Sequence, residues 1–130
     1  MENSPPLSFD QPDILDRLEV LDDTGLDNLD FGVIGFDAEN IVRRYNAFES
    51  RLSGVAPHRA VGNALFTAVA PCMNNFIVAQ RFEDCAASGE SLDATVDYVF
   101  TLRMLPAKVV LRMLASAKPG LRYLLVNRRP

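Results

Sequence analysis

A residue whose type and position could support chemistry is Cys72, which follows Val69–Pro71. Proline often begins a helix, and a thiol near a helix N-terminus gains thiolate character from the helix dipole and the unpaired backbone N–H groups. Those N–H groups could also stabilise negative charge on a group attached to the sulfur. The alternative is that Cys72 is a small buried apolar residue. Cys85 falls inside a predicted helix, so we expect it to serve in packing.

A second set of residues with chemical potential is Tyr45, Glu49 and Ser53, which are spaced four apart. If the segment from Asn46 onwards is helical, these side chains face the same way. A phenol and a carboxyl that converge on one point can hydrogen-bond a third group, such as an oxyanion, and Ser53 could add a hydroxyl. The alternative is an exposed glutamate beside a part-buried tyrosine.

The sequence gives little support to a metal site or to a hydrolytic active site. His58 is the single histidine, and the two cysteines are thirteen residues apart without a C-x-x-C pair, so we do not expect zinc. A catalytic dyad would need His58 beside a nucleophile, whereas its position after Pro57 in a broken polar stretch predicts a solvated loop. Phosphate-binding glycine motifs are also missing from the sequence. The sequence motifs thus name no enzyme class, and the family resemblance described below implies a protein that is not an enzyme.

The composition is that of one globular domain. The 130 residues are 48% hydrophobic and 23% charged, which excludes a disordered chain and a disulfide scaffold. The N-terminal segment does not resemble a signal peptide, and the sequence has no apolar run long enough to span a membrane. We expect a cytoplasmic protein. The net charge of −4 argues against general binding of nucleic acid.

The charge is divided between the two ends of the chain. Residues 1–30 hold nine acidic residues and one basic residue, whereas residues 101–130 hold seven basic residues and no acidic one. This division fits either two separate interaction surfaces or an acidic start that lies across a basic end. We favour the second interpretation because the chain is too short for two domains.

The elements that must position these residues follow from periodicity. The pattern predicts a helical cap over residues 1–28, a hairpin over 31–45, a helical turn after Asn46, a helix over 75–87 that ends at Ser88-Gly89, and three strands from about residue 95 onwards. The predicted class is α+β, with a five-stranded antiparallel sheet, helices on one face and an N-terminal helical cap.

Three blocks of the sequence together resemble the photoactive yellow protein family, blue-light receptors of the PAS fold. The resemblance runs from about Leu26 to Arg128 and implies a PAS-type photosensor domain over residues 29–130. The blocks are Leu29–Ile34 followed by Tyr45–Glu49; Val69–Cys72 with Phe82 ten residues later; and Ala87–Gly89 leading to Tyr98–Phe100, Met104–Val109 and a final strand.

The resemblance implies a cofactor and a mechanism. Cys72 would carry p-coumaric acid (4-hydroxycinnamic acid) as a covalent thioester, and its backbone N–H would bind the thioester carbonyl. Tyr45, a protonated Glu49 and Ser53 would hydrogen-bond the ring as a phenolate. Light would drive trans–cis isomerisation, Glu49 would pass its proton to the phenolate, and the cap would loosen. The implied pocket lining is Ile34, Val55, Leu65, Val69, Ala70, Phe100, Leu102 and Met104.

Three residues depart from the family pattern. Ser53 stands in place of threonine and keeps the hydroxyl, while Leu102 replaces an aromatic residue. Val55 stands where an arginine usually shields the pocket mouth, so we expect a more open mouth and a raised pKa of the phenolate. The first alternative function is a PAS-fold module for interaction or small-ligand sensing without the pigment, and the second is a thiol enzyme or redox sensor that uses Cys72. The expected partner is an unidentified downstream signalling protein, with no nucleic acid and no membrane, and the chain could form a weak homodimer.

Overall fold

The computed structural model describes residues 7–100 and 106–128. Its helices and strands follow one another in separate runs along the chain, which is an α+β arrangement, as predicted. The helices are α1 (Ile14–Val20), α2 (Asp23–Asp27), α3 (Ala47–Ser53), α4 (Pro57–Ala60) and α5 (Ala79–Ser88). The strands are β1 (Gly32–Phe36), β2 (Val42–Tyr45), β3 (Leu92–Phe100), β4 (Ala107–Ala115) and β5 (Arg122–Arg128).

The strands form one five-stranded antiparallel sheet in the order β2-β1-β5-β4-β3. The predicted hairpin over 31–45 is confirmed, because β1 pairs with β2 and places Ile34 opposite Tyr45. The N- and C-terminal strands β1 and β5 are neighbours, which places Gly32 opposite Val126. The last residues of the described chain therefore lie beside its first strand.

Both faces of the sheet are covered by apolar residues. We call the side that packs against α3–α5 the helix face and the side that packs against α1 and α2 the cap face. The buried helix-face cluster includes Ile34, Phe36, Tyr45, Leu65, Ala70, Met73, Phe82, Phe100, Leu111, Met113, Leu124 and Val126. The buried cap-face cluster is Phe9, Ile14, Leu18, Leu26, Leu29, Phe31, Val33, Val110, Leu114, Tyr123 and Leu125.

Because both faces of the sheet are covered, the alternation of burial that the sequence predicts holds in one strand and not in another. In β3, burial alternates and the even-numbered residues are the more buried, as the predicted period of two requires. In β4, by contrast, every residue from Val109 to Ala115 is buried, although the sequence predicts alternation. The cap supplies the difference, because it covers the second face of β4 with apolar side chains from residues far away in sequence.

The helix predicted over residues 75–87 begins four residues later. The Asn75 side chain accepts hydrogen bonds from the N–H groups of Ile77 and Val78, which forms a turn before α5. Phe76, which falls within the predicted helix, lies in this turn instead and is 87% exposed. The predicted end is confirmed, since Gly89 follows α5 with a left-handed φ of 74°.

The prediction of a helix that starts at Pro71 needs a correction. Residues Pro71–Met73 form a single 3₁₀ turn, preceded by one turn of π-helix over Leu65–Val69. Three residues sum few peptide dipoles, so the helix-dipole argument for a thiolate at Cys72 loses its structural basis. Among the described residues, no helix has the length and apolar character needed to cross a bilayer.

Candidate functional site

Helix α3 positions the predicted acid, and Asn46 starts this helix. The Asn46 side-chain oxygen accepts the N–H of Glu49 at 3.1 Å, the N-cap interaction that its residue type favours. Gly54, with a left-handed φ of 79°, ends the helix after two turns. The Tyr45 side chain leaves from the end of β2 immediately before this cap, so the phenol and the carboxyl belong to one neighbourhood.

Glu49 is buried and ion-paired. Its side chain is 5% exposed, and its two carboxylate oxygens accept hydrogen bonds of 2.6 and 3.0 Å from the two terminal nitrogens of Arg128 at the end of β5. The Arg128 guanidinium also lies over the Phe100 ring, 5.4 Å from its centre. A planar fork of two parallel bonds is the strongest arrangement available to an arginine and a carboxylate.

The predicted hydroxyl groups pair with each other. The Tyr45 hydroxyl is 2.7 Å from the Ser53 oxygen, which also accepts the N–H of Val55 at 3.1 Å. Tyr45 and Ser53 therefore form one hydrogen-bonded pair, while Glu49 and Arg128 form another beside it.

Burial shapes the acidity of both groups. It raises the pKa of Glu49, and the hydrogen bonds and charge of Arg128 oppose part of that rise. Burial also raises the pKa of Tyr45 to about 12, against a lowering by the bond to Ser53. The phenol at Tyr45 therefore stays neutral and able to donate, whereas Glu49 is a carboxyl that takes up a proton more readily than an exposed one.

Gly32 makes room for the carboxyl. A Cβ placed on this residue of β1 would collide with Oε1 of Glu49 and crowd the rest of that side chain. The sequence indicated this function in general terms, because strand glycines permit close approach. The particular group that approaches, Glu49, lies on a different element and was not predictable from that pattern.

Cys72 packs at the edge of the helix-face cluster and is partly exposed. The Tyr98 hydroxyl donates a 2.6 Å hydrogen bond to the backbone carbonyl of Cys72, and the Asn75 amide donates another at 3.3 Å. These bonds hold the turn that carries the thiol against β3. Cys85 packs against the same cluster from α5, as expected for a residue within a helix.

The predicted pocket residues divide into three groups. Ile34, Leu65, Ala70 and Phe100 are buried members of the helix-face cluster, and Val55 and Val69 pack against it. Leu102 and Met104 lie outside the described residues. The structure thus brings six of the eight to one apolar cluster together with Tyr45 and Cys72, and their function as a ligand pocket stays a prediction.

Two functional candidates were missed by sequence reasoning. Arg128 was counted only as one of the basic residues near the C-terminus, and it lies 79 residues from Glu49 in sequence. Asn46 was predicted only as a helix cap, yet its amide also donates to the carbonyls of Leu26 and Phe31 at 2.9 and 3.0 Å. Since Asn46 is 1% exposed, it is a buried link between the start of α3 and the cap.

Within residues 7–100 and 106–128, histidine, cysteine and acidic side chains form no group of three that could hold a metal ion.

Comparison with known proteins decides the family. No family model matches the chain. The photoactive yellow protein of Rhodothalassium salexigens is 35% identical over 107 residues, which cover 82% of this chain and 85% of that protein. The chain belongs to the photoactive yellow protein family. The photoactive yellow protein of Halochromatium salexigens is 36% identical over 105 residues and covers 81% of this chain and 83% of that protein.

Solved structures agree with this assignment to the photoactive yellow protein family. The photoactive yellow protein domain of the sensor histidine kinase Ppr from Rhodospirillum centenum is 37% identical, with a TM-score of 0.80, and covers 87% of this chain and 98% of that one. The PAS domain of the RpfR quorum-sensing receptor from Cronobacter turicensis, in complex with BDSF, has 12% identity and a TM-score of 0.60 over 79% of this chain and 97% of that one. This second likeness shows the shared PAS fold alone.

Proposed function

We propose that this PAS-type protein is a blue-light receptor that carries p-coumarate as a thioester on Cys72. The observation that carries the proposal is a buried carboxyl, Glu49, beside the neutral phenol of Tyr45, in a chain that belongs to the photoactive yellow protein family. A carboxyl with a raised pKa is suited to hold a proton in an apolar site and to release it when its surroundings change.

The residues present fit this cofactor by their chemistry. The phenol of Tyr45 and the Phe100 ring belong to one apolar cluster, and the part-exposed thiol of Cys72 packs against it. Ser53 joins this group through its hydrogen bond with Tyr45. The buried carboxyl of Glu49 joins it through Arg128, which lies over the Phe100 ring. Cys72 would hold the group covalently, while Tyr45 and Glu49 would serve its ring oxygen. The bound group supplies absorption of blue light and a double bond that isomerises.

The response of the protein depends on Glu49. Loss of its proton leaves a carboxylate in an apolar site, which is costly unless the charge is paired or reaches water. Asn46 connects that cost to the cap, because its oxygen accepts the N–H of Glu49 while its amide donates to Leu26 and Phe31. A displacement of the first turn of α3 therefore strains the bonds that hold residues 26–31, and we expect the cap over residues 1–28 to loosen.

We propose a signalling function without enzymatic activity, in which a downstream protein recognises the loosened state. The alternative is a PAS-fold interaction or ligand-sensing module that retains the family pattern without the pigment. A thiol enzyme or redox sensor that uses Cys72 is the third class. Modification of Cys72 separates the three, because only the first requires the thioester.

Reconstitution with activated p-coumarate tests the proposal directly. We expect one added p-coumaroyl group per chain, absorption of visible blue light, and a modified peptide that contains Cys72. Cys85→Ala is the matched control and should colour like the parent, whereas Cys72→Ala should stay colourless. Modification at Cys85, or a colourless parent that keeps an unmodified Cys72, would contradict the proposal.

Variants of the two proposed donors locate the ring within the loaded protein. Glu49→Gln weakens one hydrogen bond to the ring oxygen and Tyr45→Phe removes the other, so each should move the absorption maximum to longer wavelength. Leu52→Ala, an exposed site in the same helix, serves as the control. Spectra of both variants that match the parent would place the ring elsewhere.

A further inference from the structure

Arg128 is a cation built into this apolar region, and the mechanism above assigns it no part. Its side chain is 16% exposed, its two terminal nitrogens bind both oxygens of Glu49, and its guanidinium stacks over Phe100. An arginine in this arrangement is held by three contacts in a planar orientation. A carboxylate whose two oxygens both accept from Arg128 cannot at the same time be the neutral donor that a ring phenolate needs.

We propose that Arg128 is a ligand-binding residue that exchanges partners: it pairs with Glu49 until a phenolate enters the pocket, and then serves as the counter-ion of the phenolate oxygen. This inference rests on the proposed function and extends it, because it adds a cation, Arg128, to the residues that bind the ring hydroxyl. It also adds a ligand contact from β5, whereas the contacts that the sequence predicted for the ring oxygen come from Tyr45, Glu49 and Ser53.

Charge balance supports the exchange. The pair of Glu49 and Arg128 is neutral, so addition of a phenolate alone would leave one uncompensated negative charge in an apolar site. If the phenol proton passes to the Glu49 carboxylate as the ring enters, the site holds a neutral acid, a guanidinium and a phenolate. The proton is conserved within the pocket, and the total charge stays at zero.

The residues named here around the Glu49–Arg128 pair are uncharged. Glu49 belongs to α3, Tyr45 to β2 and Phe100 to β3, and the residue opposite Arg128 on β4 is the apolar Val109. The charge of Arg128 lowers the pKa of Glu49 and that of Tyr45, against the rise that burial causes in both. Arg128 is thus the cation positioned to compensate an anion that arrives beside these groups.

A noncovalent probe tests the inference without the thioester. In the Cys72→Ala background, 4-nitrophenol reports its own ionisation when bound, because its phenol and phenolate forms absorb at different wavelengths. We expect Arg128→Gln to weaken binding of the phenolate form at least tenfold, and Arg128→Lys to weaken it less because lysine keeps the charge but loses the fork. Arg43→Gln, which removes an exposed arginine paired with Asp37, should bind as the parent does.

Equal phenolate binding by the parent and Arg128→Gln, or no binding by either, would overturn the inference. Circular dichroism and thermal unfolding of each variant establish that the fold is retained. If Arg128→Gln does not fold, the Arg128→Lys comparison decides, and binding equal to the parent overturns the inference. Because this measurement needs no attachment to Cys72, an Arg128-dependent result together with an unmodified Cys72 upholds the inference and refutes the pigment function.

The coloured protein gives the second measurement. In protein loaded with p-coumarate, we expect Arg128→Gln to raise the pKa of the ring hydroxyl by at least one unit, followed as loss of the phenolate absorption on acidification. Arg43→Gln should leave the midpoint unchanged. A loaded, coloured Arg128→Gln with the parent's midpoint would reject the counter-ion while leaving the pigment function intact.

Discussion

The two faces of the sheet use arginine in different ways. On the helix face, Arg128 pairs with an ionisable side chain, the carboxylate of Glu49. On the cap face, Arg112 donates to the backbone carbonyls of Phe9 and Gln11, each at 2.8 Å, and also binds Asp93. A proton can break the first arrangement, because Glu49 titrates. It cannot break the bonds between arginine and the main chain, because neither partner titrates near neutral pH.

A second arginine repeats the cap-face pattern. Arg44 of β2 donates to the carbonyl oxygens of Leu18 and Leu21 and to the Tyr123 hydroxyl. Asp23, the acidic residue of the cap nearest to it, stands 3.8 Å away and is almost fully exposed. The acidic cap does lie over arginines, but they bind mainly main-chain oxygens. Screening of surface charge is therefore not the route by which we expect the cap to be released, and displacement through Asn46 is.

The largest effect should come from breaking the cap-face arrangement at Arg112, which is 6% exposed. Arg112→Gln loses both main-chain bonds and the ion pair with the half-exposed Asp93, so we expect a loss of about 3 kcal/mol of unfolding free energy. Chemical denaturation measures the loss, and hydrogen exchange should show it concentrated in residues 7–21. Arg43→Gln is the matched exposed control. A uniform increase in hydrogen exchange across the chain would contradict a local role of Arg112 in holding the cap.

The next largest loss of stability should come from Asn46, which links α3 to the cap. Asn46→Ala leaves the N–H groups of Val33 and Glu49 and the carbonyls of Leu26 and Phe31 without this buried partner. We expect a loss of about 2–3 kcal/mol, since part of the polar surface can be rehydrated once the cap loosens.

Asn46→Asp sharpens this test, because it keeps the accepting oxygen and loses the donors. Its hydrogen exchange should be faster at residues 26–31 and unchanged in α3. Faster exchange confined to α3 would show that Asn46 acts only as a helix cap.

Gly32→Ala should cost about 2 kcal/mol, because its methyl group would overlap the Glu49 carboxylate. Gly35→Ala is the matched change toward the cap face, where the nearest atoms are 3.0 Å away in Tyr123, and it should cost less. Unfolding measurements on both, repeated in a Glu49→Ala background, isolate the clash. If Gly32→Ala costs the same with and without the carboxyl, the crowding has another source.

The smallest expected effect is a pH dependence of opposite sign on the two faces. Glu49 has a pKa raised above its ordinary 4.5, so its contribution to stability is complete below that value and is lost as pH rises through the folded pKa. Asp93 has a pKa lowered from 3.8 by its hydrogen bonds from Arg112, so its contribution is present above 3.8 and is lost as pH falls.

Unfolding free energies of the parent, Glu49→Gln and Asp93→Asn measured across pH 3–8 test this difference. As the pH falls, the unfolding free energy of the parent should rise relative to that of Glu49→Gln. Below about pH 4, it should fall relative to that of Asp93→Asn. Parallel curves for the two variants would show that the faces do not differ in this respect.

Local signals predicted the elements of this fold well. The hairpin, the Asn46 cap, the end of α5 at Gly89 and the alternation in β3 all depend on neighbours within a few residues. The α5 start was misplaced because the Asn75 side chain builds a turn that hydrophobic spacing does not encode. Such side-chain capping competes with helix formation at the same residues.

The candidate site was predictable only where its residues are close in sequence. Tyr45, Glu49 and Ser53 share one segment, so their spacing indicated a common neighbourhood. Arg128 joins them across 79 residues, and a basic residue at a strand end carries no sign of its partner. The bonds from Arg112 to the main chain were equally hidden, because every residue offers a carbonyl and the sequence does not distinguish one from another.

The burial of β4 on both sides has a consequence for the solubility of the protein. Val33, Val110, Leu114 and Leu125 are shielded from water by the cap, and most surface strands would carry polar residues there. A molecule whose cap has detached exposes an apolar sheet face, which promotes association with other molecules. Its lifetime in that form must therefore be short, or a specific partner must cover the sheet, for the chain to remain dispersed at high concentration.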